Sequence, residues 1–431
     1  MSPITAVMVL CATMSLWVTW SLPILSGGEL GLVDVAVIGG LFGALLRPAE
    51  NNLSKKIPLN IFIWAYLLIS VMSFLFSPYL VSDNIFKLFW SIYKEMYVTL
   101  AFYLFYLVLV QKEQIQKAVH LTLFSSTFSS IIGILQIYFS KPIIFPIGLY
   151  ADNVIKKHGL EARGIDRALG TFMHSNDFAG FLIFPILISM ALYYIAKGNK
   201  CRRYLPFLII IQLAALIGTF SRGAWMGFIL SFAVFIVIAK LYKNIGLIVI
   251  LFLTVSMLFM AKGVNPDLDF IPGNVTARFF SVSNVEKDTA MLPRYNRWNY
   301  FAEMSLERPL IGHGLTSPDA VKKYFEDDAA SPHSTLLFIA VKKGYIALGI
   351  VIIIVINLVV YAWRLYKSGK DSFCNAVGLG VFAGVVGLFL VTSNFASFLE
   401  DTQVNILFWF LLAVIFRCAE ITNDTSEVSN L

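Results

Sequence analysis

One histidine and two arginines carry the chemistry this chain could do. His333 follows Pro332 and precedes Ser334 and Thr335, where the longest polar stretch of the sequence gives way to an apolar run. An imidazole titrates near neutral pH, so at such a junction it can take a proton from a hydroxyl. A histidine that merely caps a helix start fits the position as well. Arg222 stands in Ser221-Arg222-Gly223, between two apolar runs separated by only a few residues. A guanidinium so close to hydrocarbon is costly unless it snorkels or is paired, and its fork suits bidentate binding of a phosphate. Arg294 opens Arg294-Tyr295-Asn296-Arg297-Trp298 and could be a second phosphate ligand or a surface charge.

Other candidates surround these three. The stretch 140–173 carries Lys156, Lys157, His158, Arg163, Asp166 and Arg167, then Gly170-Thr171-Phe172-Met173-His174-Ser175-Asn176. Such a cluster of cations suits an anionic ligand at a membrane surface. His174 and Asn176 would otherwise mark a helix start, with Ser175 or Asn176 as the cap. Lys87 and Lys94 share a helix face that should meet a polar cavity, whereas Glu95 points to another face. Alternatively, Lys94 and Glu95 serve structural ion pairing with a neighbouring span. Trp298, Phe301, Met304 and Leu306 predict an amphipathic helix lying on a bundle, with Trp298 and Tyr300 as interfacial anchors. It leads into Pro309-Leu310-Ile311-Gly312-His313-Gly314, whose two glycines permit a tight turn or close approach to a ligand. The cysteines, Cys11, Cys201, Cys374 and Cys418, show no metal-type spacing and are expected as free thiols. Asp327 and Asp328 are adjacent and read as solvated, so neither metal nor cofactor is expected.

The elements that must position these residues are membrane helices. The chain has 431 residues, of which 58% are hydrophobic and 14% charged, against about a quarter charged in soluble domains. Twelve apolar runs are candidate spans: 4–25, 30–46, 58–77, 85–110, 117–139, 174–196, 203–220, 222–241, 244–261, 334–365, 374–395 and 401–418. The expected fold is therefore all-α and polytopic, with about 12 transmembrane helices. Short loops with Arg47, Lys55 and Lys56; Lys112 and Lys117; Lys197, Lys200, Arg202 and Arg203; Lys240 and Lys243; Arg364, Lys367 and Lys370; and Arg417 alternate with loops 26–29, 78–84 and 396–400, which hold no Lys or Arg. The positive-inside rule puts the basic set, and both termini, in the cytoplasm. The expected organisation is helices 1–9 over 1–261 with an outer loop at 140–173, a large, partly helical outer loop at 262–332, helices 10–12 over 333–419, and a polar tail at 420–431. The N-terminus lacks a basic leader region, so no cleaved signal is expected. The net charge of +7 is accounted for mostly by the inside loops, which argues against a nucleic-acid partner. No internal repeat or matched pair of broken helices suggests a transporter.

Together these motifs resemble the O-antigen ligase and polymerase (Wzy-C-like) family of bacterial envelope glycosyltransferases. The resemblance rests on Gly170-Thr171-Phe172-Met173-His174-Ser175-Asn176, Ser221-Arg222-Gly223-Ala224-Trp225, Arg294-x-x-x-Trp298 with Pro309–Gly314, and His333-Ser334 followed by Gly344 after nine intervening residues. The last pattern is similar to the ligase branch, although Ala347 stands where ligases often carry Gly, Thr or Tyr. The family implies a donor glycan on undecaprenyl diphosphate, and either a lipid A–core sugar (ligase) or another lipid-linked glycan (polymerase) as acceptor. It also implies an inner-membrane location with the active site facing the periplasm. By resemblance Arg222 and Arg294 bind the diphosphate and His333 is the base.

Overall fold

The computed structural model describes residues 2–16, 21–24, 28–46, 57–79, 85–139, 167–172, 174–198, 201–241, 291–314, 332–394, 396 and 398–428. Its helices are α1 (Pro3–Thr13), α2 (Leu32–Leu46), α3 (Asn60–Leu75), α4 (Ile85–Val108), α5 (Lys112–Phe139), α6 (Ser175–Tyr194), α7 (Leu205–Gly218), α8 (Arg222–Ile238), α9 (Met291–Glu307), α10 (Thr335–Ser368), α11 (Ser372–Leu390) and α12 (Thr402–Val428). Among the described residues α5, α6, α10, α11 and α12 are long and apolar enough to cross a membrane; α1, α2, α3, α7 and α8 are shorter apolar helices. The chain is thus a helical, multi-pass membrane protein. The run at 244–261 lies outside the described residues.

Two expectations need correction. The first run is not one helix over 4–25: α1 ends at Thr13, and Ser21–Ile24 pairs antiparallel with Gly28–Gly31 as a short hairpin, Ser21 opposite Gly31. Pro23, inside the first hairpin strand, has no N–H to give a helix, so a helix running through the end of the run is disfavoured. Nor does a separate tail begin at 420, because α12 continues to Val428, held by Glu420 and Thr422.

The helices pack with α6 buried at the centre, against α7, α8 and α11. Small residues permit close approach, as membrane bundles require: a Cβ on Gly380 would sit 2.7 Å from Ile188 Cα, and one on Gly387 2.1 Å from the Gly227 carbonyl oxygen. The bundle has two chemically different ends. At the basic end Lys112 pairs with Asp371, Arg417 Nη1 lies 2.6 Å from Glu420 Oε2, and Lys370 Nζ donates to the Thr422 carbonyl at 3.2 Å. The motif-bearing starts of α6, α8 and α10 lie at the other end, with the start of α12.

There α10 is broken at Gly344, with φ 81° and ψ 173°. The break exchanges hydrogen bonds. Tyr345 N–H donates to the Pro309 carbonyl at 2.7 Å, while the Val341 and Lys342 carbonyls accept from His313 and Gly314 N–H, each at 2.8 Å. Pro309–Gly314 thus replaces the next turn of helix, and the buried backbone groups stay paired. Contact is backbone to backbone: a Cβ on Gly344 would lie 2.3 Å from the Leu310 carbonyl oxygen, and one on Gly312 2.5 Å from the Lys342 carbonyl carbon.

At the basic end Asp371 caps α11, accepting from Phe373 and Cys374 N–H at 3.0 and 2.9 Å. Burial alone would raise its carboxyl, but the hydrogen bond from Lys112, that from Cys374 N–H and the Lys112 charge hold it below the usual carboxylate range. The stabilisation is present above pH ~4 and lost as pH falls through the lowered folded value. Asp371→Asn keeps the cap and removes the charge. It should cost about 1 kcal/mol at neutral pH, read as a lower melting temperature in detergent, with the difference closing in acid. Gly344→Ala should destabilise by about 3 kcal/mol in the same measurement, because an L-residue rarely adopts this backbone and its Cβ has no room.

Candidate active site

His333 is itself a strained residue. Its φ is +51°, a left-handed conformation uncommon outside glycine and costing on the order of 1–3 kcal/mol. It is not the helix cap: Ser334, with extended backbone, occupies that position, and α10 starts at Thr335. The residues on either side are pinned. Ahead, Trp298 Nε1 donates to the Pro332 carbonyl at 3.1 Å. Behind, buried Thr335 Oγ1 donates to the Ala396 carbonyl at 2.8 Å and accepts from Phe398 N–H at 3.0 Å. A half-buried imidazole is left at the corner.

The helix predicted from Arg294 onward is α9, and it lies on the bundle as its pattern implies. Phe301 and Met304 bury against Val341 of α10, Ser305 Oγ bonds Tyr345 Oη at 2.8 Å, and Arg308 Nη1 donates to the Phe76 carbonyl at 2.8 Å. Arg294 lies in its first turn, one turn before Trp298. The Trp298–Pro332 bond brings the first half of α9 to the His333 corner. Arg297 is buried. His313 is a docking residue of the turn: its Nε2 is 2.8 Å from the Met304 carbonyl oxygen, and its own carbonyl accepts from Ser77 Oγ at 2.7 Å.

Arg222 is the first residue of α8, after left-handed Phe220 and extended Ser221, and is half-buried. Trp225 Nε1 donates to the Leu216 carbonyl at 2.9 Å, folding α8 back on α7. At Gly227, just over a turn on, α8 rests on Thr392, so the start of α8 is supported by Thr392 and that of α10, after His333, by Ala396 and Phe398. The loop 167–172 joins the same end through Ala168 N–H to the Gly218 carbonyl, 2.8 Å. A polar seam on α5 secures it: Gln136 Nε2 donates to the Gly170 carbonyl at 2.7 Å, and Ser129 Oγ meets Thr171 Oγ1 at 2.8 Å. His174, not Ser175 or Asn176, takes the N-cap position of α6 and is exposed; Asn176 follows, half-buried. Lys94 stands 5.7 Å from the Trp90 ring centroid and close enough to Asp401 for their charges to interact. Lys87 is carried on the first turn of α4. Arg163, Lys156 and His158 lie outside the described residues.

Lys342, Lys343, Glu400 and Asp401 carry further charge in this part of the bundle, though no motif marks them. Lys342 Nζ is 3.6 Å from Glu400 Oε1. Lys343 is 4% exposed, with Nζ 2.6 Å from both Glu95 Oε1 and Tyr66 Oη. The ion pair expected in α4 is thus made by Glu95, with Lys343 of α10. Two lysines inside an apolar run were the signal, because a charge at membrane depth needs a partner.

Trp298→Phe keeps the ring and removes the donor to Pro332. It should cost about 1 kcal/mol, seen as a modest drop in melting temperature, with faster backbone amide exchange at Ser334 and Thr335.

Residues 205–352 match the family described as O-antigen ligase; the matched segment contains Arg222, Arg294, His333 and Gly344. An O-antigen ligase of Salmonella typhimurium is 25% identical over 261 residues, 56% of this chain and 59% of that protein. An uncharacterized protein of Haemophilus influenzae is 23% identical over 266 residues, 58% of this chain and 65% of its own length. The chain thus spans somewhat under two thirds of either relative.

Proposed function

We propose that the chain is an O-antigen ligase-like glycosyltransferase of lipopolysaccharide biosynthesis, a reading supported by the match of residues 205–352 to the family described as O-antigen ligase. It moves a glycan from undecaprenyl diphosphate to a sugar hydroxyl of lipid A–core. The observation that carries this reading is the left-handed His333 at the corner that Trp298 of α9 pins through the Pro332 carbonyl. The motif end faces the periplasm and the basic end the cytoplasm, in keeping with the charge of the short loops.

The donor arrives already activated. The acceptor oxygen attacks the anomeric carbon as the bond from that carbon to the diphosphate oxygen breaks. The acceptor proton passes to the His333 imidazole, and undecaprenyl diphosphate leaves with the bonding electrons. Arg222 and Arg294 bind the diphosphate and stabilise the charge growing on it. One displacement inverts the anomeric centre, and the reaction needs no metal ion. His174, Asn176, Arg163, Lys87, Lys94, Arg297 and His313 are supporting candidates, of which His313 acts by holding the turn at Gly344.

His333→Ala should lower transfer by about 10²- to 10⁴-fold, the usual worth of a general base, with membrane insertion unchanged; Arg222→Ala and Arg294→Ala should do likewise. The assay is transfer of an undecaprenyl-diphosphate-linked oligosaccharide to lipid A–core. Full activity in all three variants would overturn the assignment. Ala347, fully buried in α10, departs from the ligase pattern and keeps the polymerase reading as the alternative. Deletion separates the two: loss of a ligase leaves long lipid-linked chains, whereas loss of a polymerase leaves lipid A–core capped by a single repeat. A lipid-linked sugar transporter would move labelled donor without forming a glycosidic bond.

A further inference from the structure

Lys343, Glu95 and Tyr66 form a buried polar contact that the reaction above does not use. The Lys343 and Glu95 side chains are 5% and 13% exposed, and the lysine Nζ also sits 4.6 Å from the Tyr66 ring centroid. Apolar side chains of similar volume would hold α3, α4 and α10 together about as well, because desolvating two charges offsets most of their attraction. An ion pair adds direction. Nζ must meet Oε1 in one place, so the pair fixes rotation and register in a way that an apolar contact does not.

Its position gives that direction a use. Lys343 is the last residue before the Gly344 break, so the half-helix 335–343 is not carried rigidly by the rest of α10. This segment is about 12 Å long, at ~1.5 Å per residue, and His333 stands just beyond its far end. Lys342 restrains it on the other side, with Nζ 3.6 Å from Glu400. The two neighbouring lysines tie the half-helix to α3 and α4 on one flank and to the start of α12 on the other.

We propose that Lys343, paired with Glu95 and Tyr66, is a positioning residue that sets the rotation of the half-helix 335–343 and so aims His333 at the acceptor hydroxyl. This rests on the reading of His333 as the base.

The test compares the full chain in nanodiscs with Lys343→Met, Glu95→Gln and the double variant. The readouts are melting temperature, backbone amide exchange, and transfer from an undecaprenyl-diphosphate-linked oligosaccharide to lipid A–core. Each single variant leaves one buried charge alone and should melt well below the parent; the double variant should recover most of that loss. In the double variant the amides of 335–343 should still exchange about tenfold faster than in the parent. Its kcat should fall by about 100-fold, the effect of a small misplacement, with KM within about twofold. If the double variant does not fold, Lys343→Arg serves: it keeps the charge but alters its reach, and kcat should fall while the melting temperature holds. Parent-like exchange and kcat in a folded double variant, or in Lys343→Arg, would overturn the proposal. A parent protein that transfers nothing would overturn the functional reading instead, and the exchange of 335–343 would still decide whether the pair sets the half-helix.

Discussion

The exchange of hydrogen bonds at Gly344 is the constraint on which the site depends. A continuous α10 would satisfy its own carbonyls, leaving Pro309–Gly314 nothing to dock on. Because the helix breaks, the Val341 and Lys342 carbonyls are available to His313 and Gly314, and Tyr345 is available to Pro309. The break therefore does two things at once. It anchors the end of α9, and it detaches a short half-helix whose start carries His333. Inside a membrane protein such irregular backbone is tolerated only where protein satisfies it, and here the turn after α9 does so atom for atom.

The rest of the site follows from that joint. With the C-terminal end of α9 fixed at Pro309–Gly314, the Trp298–Pro332 bond fixes its other half against the His333 loop. The first half of α9 and the histidine are then held in a closed path, from Pro332 through the Trp298 indole, α9 and the turn back to α10. Arg222 reaches the same end by a different route, through α8 packed on Thr392 and the segment that also receives Thr335. The left-handed residues Phe220 and His333 stand immediately before these two helix starts, where the chain must turn sharply to begin a helix at the membrane boundary.

Much of this was legible in the sequence. Apolar runs located most helices to within a few residues, because a span must be both long and apolar. The amphipathic spacing of Trp298, Phe301 and Met304 foretold a helix lying on the bundle, and the glycines of Gly312-His313-Gly314 foretold a close approach. What they approach was not legible. The two glycines suggested a tight turn or a ligand, and only the three-dimensional packing shows that Lys342 and Gly344 lie against Gly312, and Ser73 and Phe74 against Gly314. Lys343–Glu95 was hidden for a related reason: the pair joins residues 248 apart in the chain, and no local pattern links them. The first run was misread because hydropathy does not distinguish a helix from a helix followed by a hairpin, and Pro23 was the sign to the contrary.

The most direct measurement is an experimental structure of the chain in a lipid nanodisc with an undecaprenyl-diphosphate-linked oligosaccharide bound. The account predicts the diphosphate between the guanidiniums of Arg222 and Arg294, with His333 within reach, about 3 Å, of an acceptor oxygen placed opposite the leaving group. A diphosphate bound away from either arginine, or a donor whose anomeric carbon faces away from His333, would contradict it.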